Sequence, residues 1–257
     1  STVFIPLVQL LLDRVGWRDT LLILGLVNLV ICAGLYAAVI DPSSDRAVSG
    51  SGGPPAPTGR AAVRLAMRKP AFWALALAFT AFSATFSAFT FHVYPLLTER
   101  GLDSAAVVAA LAIIGPAQVA GRIVIWVLLS KASVRQIGSF VVLAFPIALV
   151  VLLVGPPSFA LVAFVAALYG AANGIMTIVR GSAVPEMISR HAYGAVSGAI
   201  STPSNVSRAL APAGAALIWS AAGSYDAVLV AMIAGAVVLV LSFWFAAAAS
   251  RRGAQDF

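Results

Sequence analysis

Charge is scarce in this chain. Only 10% of its 257 residues are Asp, Glu, Lys or Arg, against about 25% in soluble domains. Cysteine occurs once, as Cys32 inside an apolar run, which excludes an intrachain disulfide and a cysteine-built metal cluster. The sequence carries no paired catalytic carboxylates, no Cys/His pair, no HExxH-type helix and no glycine loop with a phosphate-binding lysine. No enzyme activity, cofactor or metal is therefore expected. A basic segment with a small-residue cleavage site is missing from the first residues, so no signal peptide is read there. The chain starts at Ser1 within a hydrophobic run and without an initiator Met; a fragment of a longer protein is the expectation.

What is present is apolar surface. The chain is 61% hydrophobic with a mean hydropathy of +1.01. Stretches of about 20 apolar residues recur to the C-terminus, each long enough to cross a hydrocarbon core about 30 Å thick. Inside lipid the backbone must satisfy its own hydrogen bonds, so these stretches are helices. The pattern predicts an all-α, polytopic membrane protein, a transmembrane helix bundle of one partial and seven full spans. The partial span covers residues 1–12 and ends at Asp13 and Arg14. Full spans follow at 19–40, 71–97, 104–129, 134–154, 158–180, 193–221 and 225–249. The expected domains are an N-terminal remnant (1–40), a polar linker (41–70), a six-helix bundle (71–249) and a polar tail (250–257).

The linker is rich in Gly, Ser and Pro over residues 49–57, a composition that cannot bury apolar surface. It ends in Arg60, Arg64, Arg68 and Lys69. The three arginines, four apart, suit either a short helix at a membrane surface or a solvated linker end. The net charge of +7 is carried by short loops, and it reads as a topology signal rather than a nucleic-acid surface. On the linker side lie eleven basic residues: Arg46, Arg60, Arg64, Arg68, Lys69, Lys131, Arg135, Arg180, Arg190, Arg251 and Arg252. The other side holds three, Arg14, Arg18 and Arg100. Linker and C-terminus are therefore expected in the cytoplasm, in a cell (inner) membrane. Arg122 and Arg208 remain within spans.

A partial span, a full span, a long basic linker and six further spans resemble the second part of a major facilitator superfamily (MFS) transporter. Three local features carry the resemblance: Gly16-Trp17-Arg18 after the first helix, Gly121-Arg122 near the inner end of the span after 104, and Pro212 with Gly214 in the span from 193. The resemblance implies twelve spans in two six-helix halves, with this chain beginning inside span 5 and the earlier spans missing from it. It also implies alternating access to a midplane cavity. Gly121, Arg122 and Lys131 take the gating loop motif's place; where that motif continues with a glycine and an acid, Trp126 and Ser130 stand.

Charges inside spans are the strongest functional signal, because an arginine there is costly and faces the bundle interior. Arg208 lies mid-helix, with Ser197, Ser201, Ser204 and Asn205 on its stripe. Arg122 has Gln118 one turn before it. Thr80, Ser83, Ser87, Thr90 and Tyr94 share a face of the span from 71, and Tyr169, Asn173, Thr177 and Arg180 one of the span from 158. The acids all fall at span ends or in loops. One reading gives Arg208, with Arg122, to an anionic substrate; carboxylate carriers of the resembled superfamily use basic residues in spans 8 and 11. The other lets the arginines bond helix carbonyls or acids of missing spans, and lets the hydroxyls glue helices. The candidate substrate contacts are Arg208, Asn205, Ser204, Ser201, Asn173, Tyr169, Thr90, Ser87 and Gln118. His92 is the candidate proton-coupling residue, able to change charge near neutral pH, or else a histidine hydrogen-bonded at the interface. The function expected is secondary transport of a small organic solute, an anion favoured. The alternatives are export of drug-like, neutral or cationic solutes, a seven-span receptor, or a non-transporting membrane protein. Expected partners are the lipid bilayer, a small-molecule substrate and a coupling ion such as a proton.

Overall fold

The computed structural model describes residues 4–39, 59–128, 132–189 and 192–252. The chain divides into two compact units, Ser1–Ala56 and Pro57–Phe257.

In the first unit one helix, α1, runs over Phe4–Val39. The sequence predicts a break between a partial and a full span at residues 13–18. The observed break is a single residue, Gly16, with φ 75° and ψ 172°. That left-handed φ is open to glycine and strained for other residues. Thr20 Oγ1 donates to the Gly16 carbonyl at 2.7 Å, and Arg18 lies 5.0 Å from the centre of the Trp17 ring. The stretch Leu10–Ala38, which contains the break, is long and apolar enough to cross a membrane.

The second unit begins with α2, Gly59–Met67. The end of the predicted linker is thus helical. Ala62 and Ala66, one turn apart, are buried while Arg60 and Arg64 are exposed, which is the amphipathic pattern of a helix laid on other helices. The Gly/Pro-rich stretch 49–57 lies outside the described residues. Then follow α3 (Pro70–Glu99), α4 (Ser104–Ala112), α5 (Ile114–Leu128), α6 (Val134–Val154), α7 (Phe159–Met187), α8 (Tyr193–Ala222) and α9 (Tyr225–Arg252). The span predicted at 104–129 is two helices meeting at Ile113. Pro116 accounts for the break, since it has no N–H for the Ala112 carbonyl and its ring crowds that turn.

Helix α3 packs against both α8 and α9, α7 against α5 and α6, and α6 and α9 join the two groups. Leu75, Leu96, Phe145, Leu149, Met176 and Phe243 are fully buried in the core. The tightest approach is α5 against α7. A Cβ at Gly170 would lie 2.8 Å from the Ile114 carbonyl oxygen, one at Gly121 2.5 Å from that of Ala171, and one at Gly174 would collide with that of Gln118. Small residues four apart permit this backbone contact.

The span predicted to stop at residue 180 continues to Met187. Pro185 lies in its last turn and leaves the Gly181 carbonyl without an intrahelical partner. Tyr193 Oη of α8 donates to that carbonyl at 3.0 Å. Glu186, at the end of α7, accepts from the Val134 and Arg135 amides at 3.0 and 3.3 Å, capping α6, and pairs with Arg135 Nε at 3.3 Å. Six described helical stretches, α4 and α5 taken together as one, are long and apolar enough to cross a membrane. Helix α8 matches them in length but is outside that set, because its hydroxyl, amide and guanidinium stripe makes it less apolar than its neighbours.

Candidate functional site

A cavity of about 390 Å³ opens between α3, α7 and α8. Helix α3 supplies an aromatic wall of Phe79, Phe82 and Phe86. Helix α7 supplies Asn173, Thr177 and Arg180, and α8 supplies Ser197, Ser201 and Arg208. A second hollow, of about 480 Å³, shares Phe86 and Arg208 and adds Ser87, Thr90 and Asn205. Arg208 therefore stands where the two hollows meet.

The helical repeat explains this convergence. Asn173, Thr177 and Arg180 recur at spacings of four and three on α7, and Ser197, Ser201, Asn205 and Arg208 do so on α8, so each set shares a face. Arg180 is half-buried, its guanidinium 5.5 Å from the centre of the Phe79 ring and 5.7 Å from that of Phe82. The rings cover guanidinium surface by cation–π contact. Arg208 is exposed. Its own carbonyl is freed by Pro212 four residues on, and Ser87 Oγ of α3 donates to it at 2.7 Å. Both guanidiniums line the same cavity. Among the described residues neither forms an ion pair; the pairs found are Arg100–Asp226 and Arg135–Glu186.

Of the residues singled out from the sequence, Arg208, Asn205, Ser201, Asn173, Thr90 and Ser87 line the two hollows, although the Ser87 hydroxyl is engaged by the Arg208 carbonyl. Two stand back from them. Ser204 is completely buried, its hydroxyl 3.4 Å from the Ile200 carbonyl. Tyr169 is buried in an aromatic cluster, its ring centre 4.3 Å from that of Phe89 and 5.2 Å from that of Phe145. Both follow the predicted period, but a helix turned a fraction of a turn inward buries its outermost stripe residues. Gln118 and Gly121 lie in the α5–α7 contact, away from the cavity linings. Arg122 is exposed and its Nε donates to the Gly174 carbonyl at 3.3 Å, the carbonyl-bonded arrangement weighed above. Lys131 lies outside the described residues.

Arg180 joins the cavity lining although it is not among the candidate contacts named from the sequence. The sequence places it on the polar stripe with Asn173 and Thr177, but a span ending at residue 180 groups it with the loop charges, whereas the helix runs on to Met187. Ten basic residues then remain on the linker side against three.

His92 bridges three helices. One ring nitrogen, Nε2, lies 2.9 Å from the Pro212 carbonyl and Nδ1 lies 3.2 Å from Tyr225 Oη. A carbonyl only accepts, so Nε2 carries the proton and Nδ1 accepts from the tyrosine. Glu99 accepts from the Tyr225 amide at 2.9 Å and from Trp219 Nε1 at 3.0 Å, closing this end of α3, α8 and α9. Among the described residues no group of three His, Cys, Asp or Glu side chains is placed to hold a metal ion.

Comparison with curated proteins gives no match. The family model of the Major Facilitator Superfamily matches residues 1–212, most of the chain, and the chain belongs to that family. It is accordingly an integral, multi-pass protein of a membrane-transporter family, with lipid around it and a small molecule as its substrate.

Proposed function

As a member of the Major Facilitator Superfamily, we propose, this protein is a secondary transporter of a small organic anion. The observation that supports the reading is the pair Arg180 and Arg208, which share one cavity and have no carboxylate partner among the described residues. Guanidinium fits carboxylate or phosphate through paired N–H donors. Water-facing arginines within membrane helices are retained for pathways and ligands. The cavity's open side would be covered by a second six-helix half, and rocking of the halves would expose the site to each side in turn. The excess of basic residues on the linker side supports a cytoplasmic linker and C-terminus.

Within this bundle His92 is the proposed site of a coupling proton. A second proton on its ring would convert Nδ1 from acceptor to donor and force the Tyr225 hydroxyl to turn, altering the contact that joins α3 to α9.

The test is uptake into proteoliposomes by the full-length protein, over a panel of small carboxylates, sugars and organic cations, with and without Arg208→Gln. Carboxylate uptake lost in the variant is expected. Uptake of a neutral or cationic solute, unchanged by the substitution, would overturn the reading and make the arginine structural.

A further inference from the structure

Resting on the anion reading, we propose that the substrate is a compact organic dianion with its charges at two ends, of the dicarboxylate class, held between Arg180 and Arg208. A single negative charge would leave one guanidinium uncompensated beside the wall of Phe79, Phe82 and Phe86, and an unpaired charge in partly apolar surroundings is costly.

The two cations sit at different levels. Arg180 precedes Gly181, whose carbonyl is bonded by Tyr193 at the start of α8. The Arg208 backbone lies fifteen residues further along α8 than Tyr193, yet both guanidiniums line the same cavity of about 390 Å³, a space one compact ligand can bridge. A ligand spanning them must carry its charges apart. Between them the wall is polar: Asn173 and Thr177 on α7, Ser197 and Ser201 on α8. The Ser197 hydroxyl is buried with no hydrogen-bond partner among the described residues. Such a group is normally satisfied, and a polar ligand in this cavity would satisfy it. Arg180 is also held ready. The two phenylalanine rings cover guanidinium surface and leave N–H donors for a carboxylate.

The experiment is calorimetric binding to the purified full-length protein in detergent, with glutarate, butyrate and glycerol phosphate as probes. Glutarate is expected to bind about tenfold or more tighter than butyrate, the effect of one additional charge-assisted contact. In Arg180→Gln that ratio should shrink to about threefold or less, with butyrate binding retained as evidence of a folded site. Arg180→Lys, which keeps the charge but loses the fork, should retain part of the preference. Equal binding of glutarate and butyrate, or an unchanged ratio in Arg180→Gln, would overturn the dianion inference and leave the anion reading standing. Tighter binding of glycerol phosphate than of glutarate would also overturn it, because both charges would then sit at one end. Binding of none of the three would remove the anion reading with it.

Discussion

At the rims of the bundle, Arg100 meets Asp226 and Arg135 meets Glu186; in the cavity, Arg180 and Arg208 meet no carboxylate among the described residues. Rim charges also carry structural duties. Arg100 reaches the carbonyls of Leu152 and Leu153 at the end of α6, and Glu186 caps that helix at its start. Each arginine of the cavity instead lies against rings or open space, at a point where α3, α7 and α8 part. The difference separates charges that fasten helices from charges that meet no such partner among the described residues.

The sharpest way to break that comparison is to make the cavity resemble the rim. Asn205→Asp places a carboxylate one turn from Arg208, within pairing distance on a helix. Uptake of anions by the full-length protein should fall by about tenfold or more as the internal acid competes for the guanidinium, measured as initial rate in proteoliposomes. An unchanged rate would show that Arg208 does not meet the substrate. Next in size is Gly174→Ala, whose Cβ would collide with the Gln118 carbonyl. The α5–α7 contact should lose about 1–3 kcal/mol, read as a lower melting temperature in detergent; a melting point at or above that of the parent would mean the helices separate freely. Glu186→Ala removes a cap and an ion pair together, and should cost about 1–2 kcal/mol by the same melt, with anion binding little changed. Smallest is Asp226→Asn. Its carboxylate is 65% exposed, so the pair with Arg100 is screened by water and is worth about 1 kcal/mol or less. A larger loss there than at Glu186 would reverse the ranking of the two rims.

Much of this was legible in the chain because lipid imposes length and apolarity on each span. The seven long runs, the stripe leading to Arg208 and the basic linker end all follow from spacing. The end of α7 was not legible. Pro185 and Glu186 read as loop residues, yet a hydroxyl from α8 closes the carbonyl that the proline frees and the acid caps α6, both contacts formed only in the folded bundle. Ser204 and Tyr169 show the converse limit: helical period gives a face, whereas the rotation that decides cavity or core is set by neighbouring helices. Gln118 and Arg122 share a face as expected, but the glycines of α7 draw that part of α5 into backbone contact.

Both cavity arginines sit beside a carbonyl that proline has released and a neighbour's hydroxyl has taken up: Gly181 with Tyr193, and Arg208 with Ser87. A hydroxyl can let go and return without breaking the helix on either side, so each cation rides on a soft joint. On the proposed anion reading, a substrate drawn to either guanidinium would also load the joint beneath it. On that reading grip and movement would be properties of the same few atoms, and a substitution that removes the Ser87 or Tyr193 hydroxyl should change turnover while leaving the charges in place.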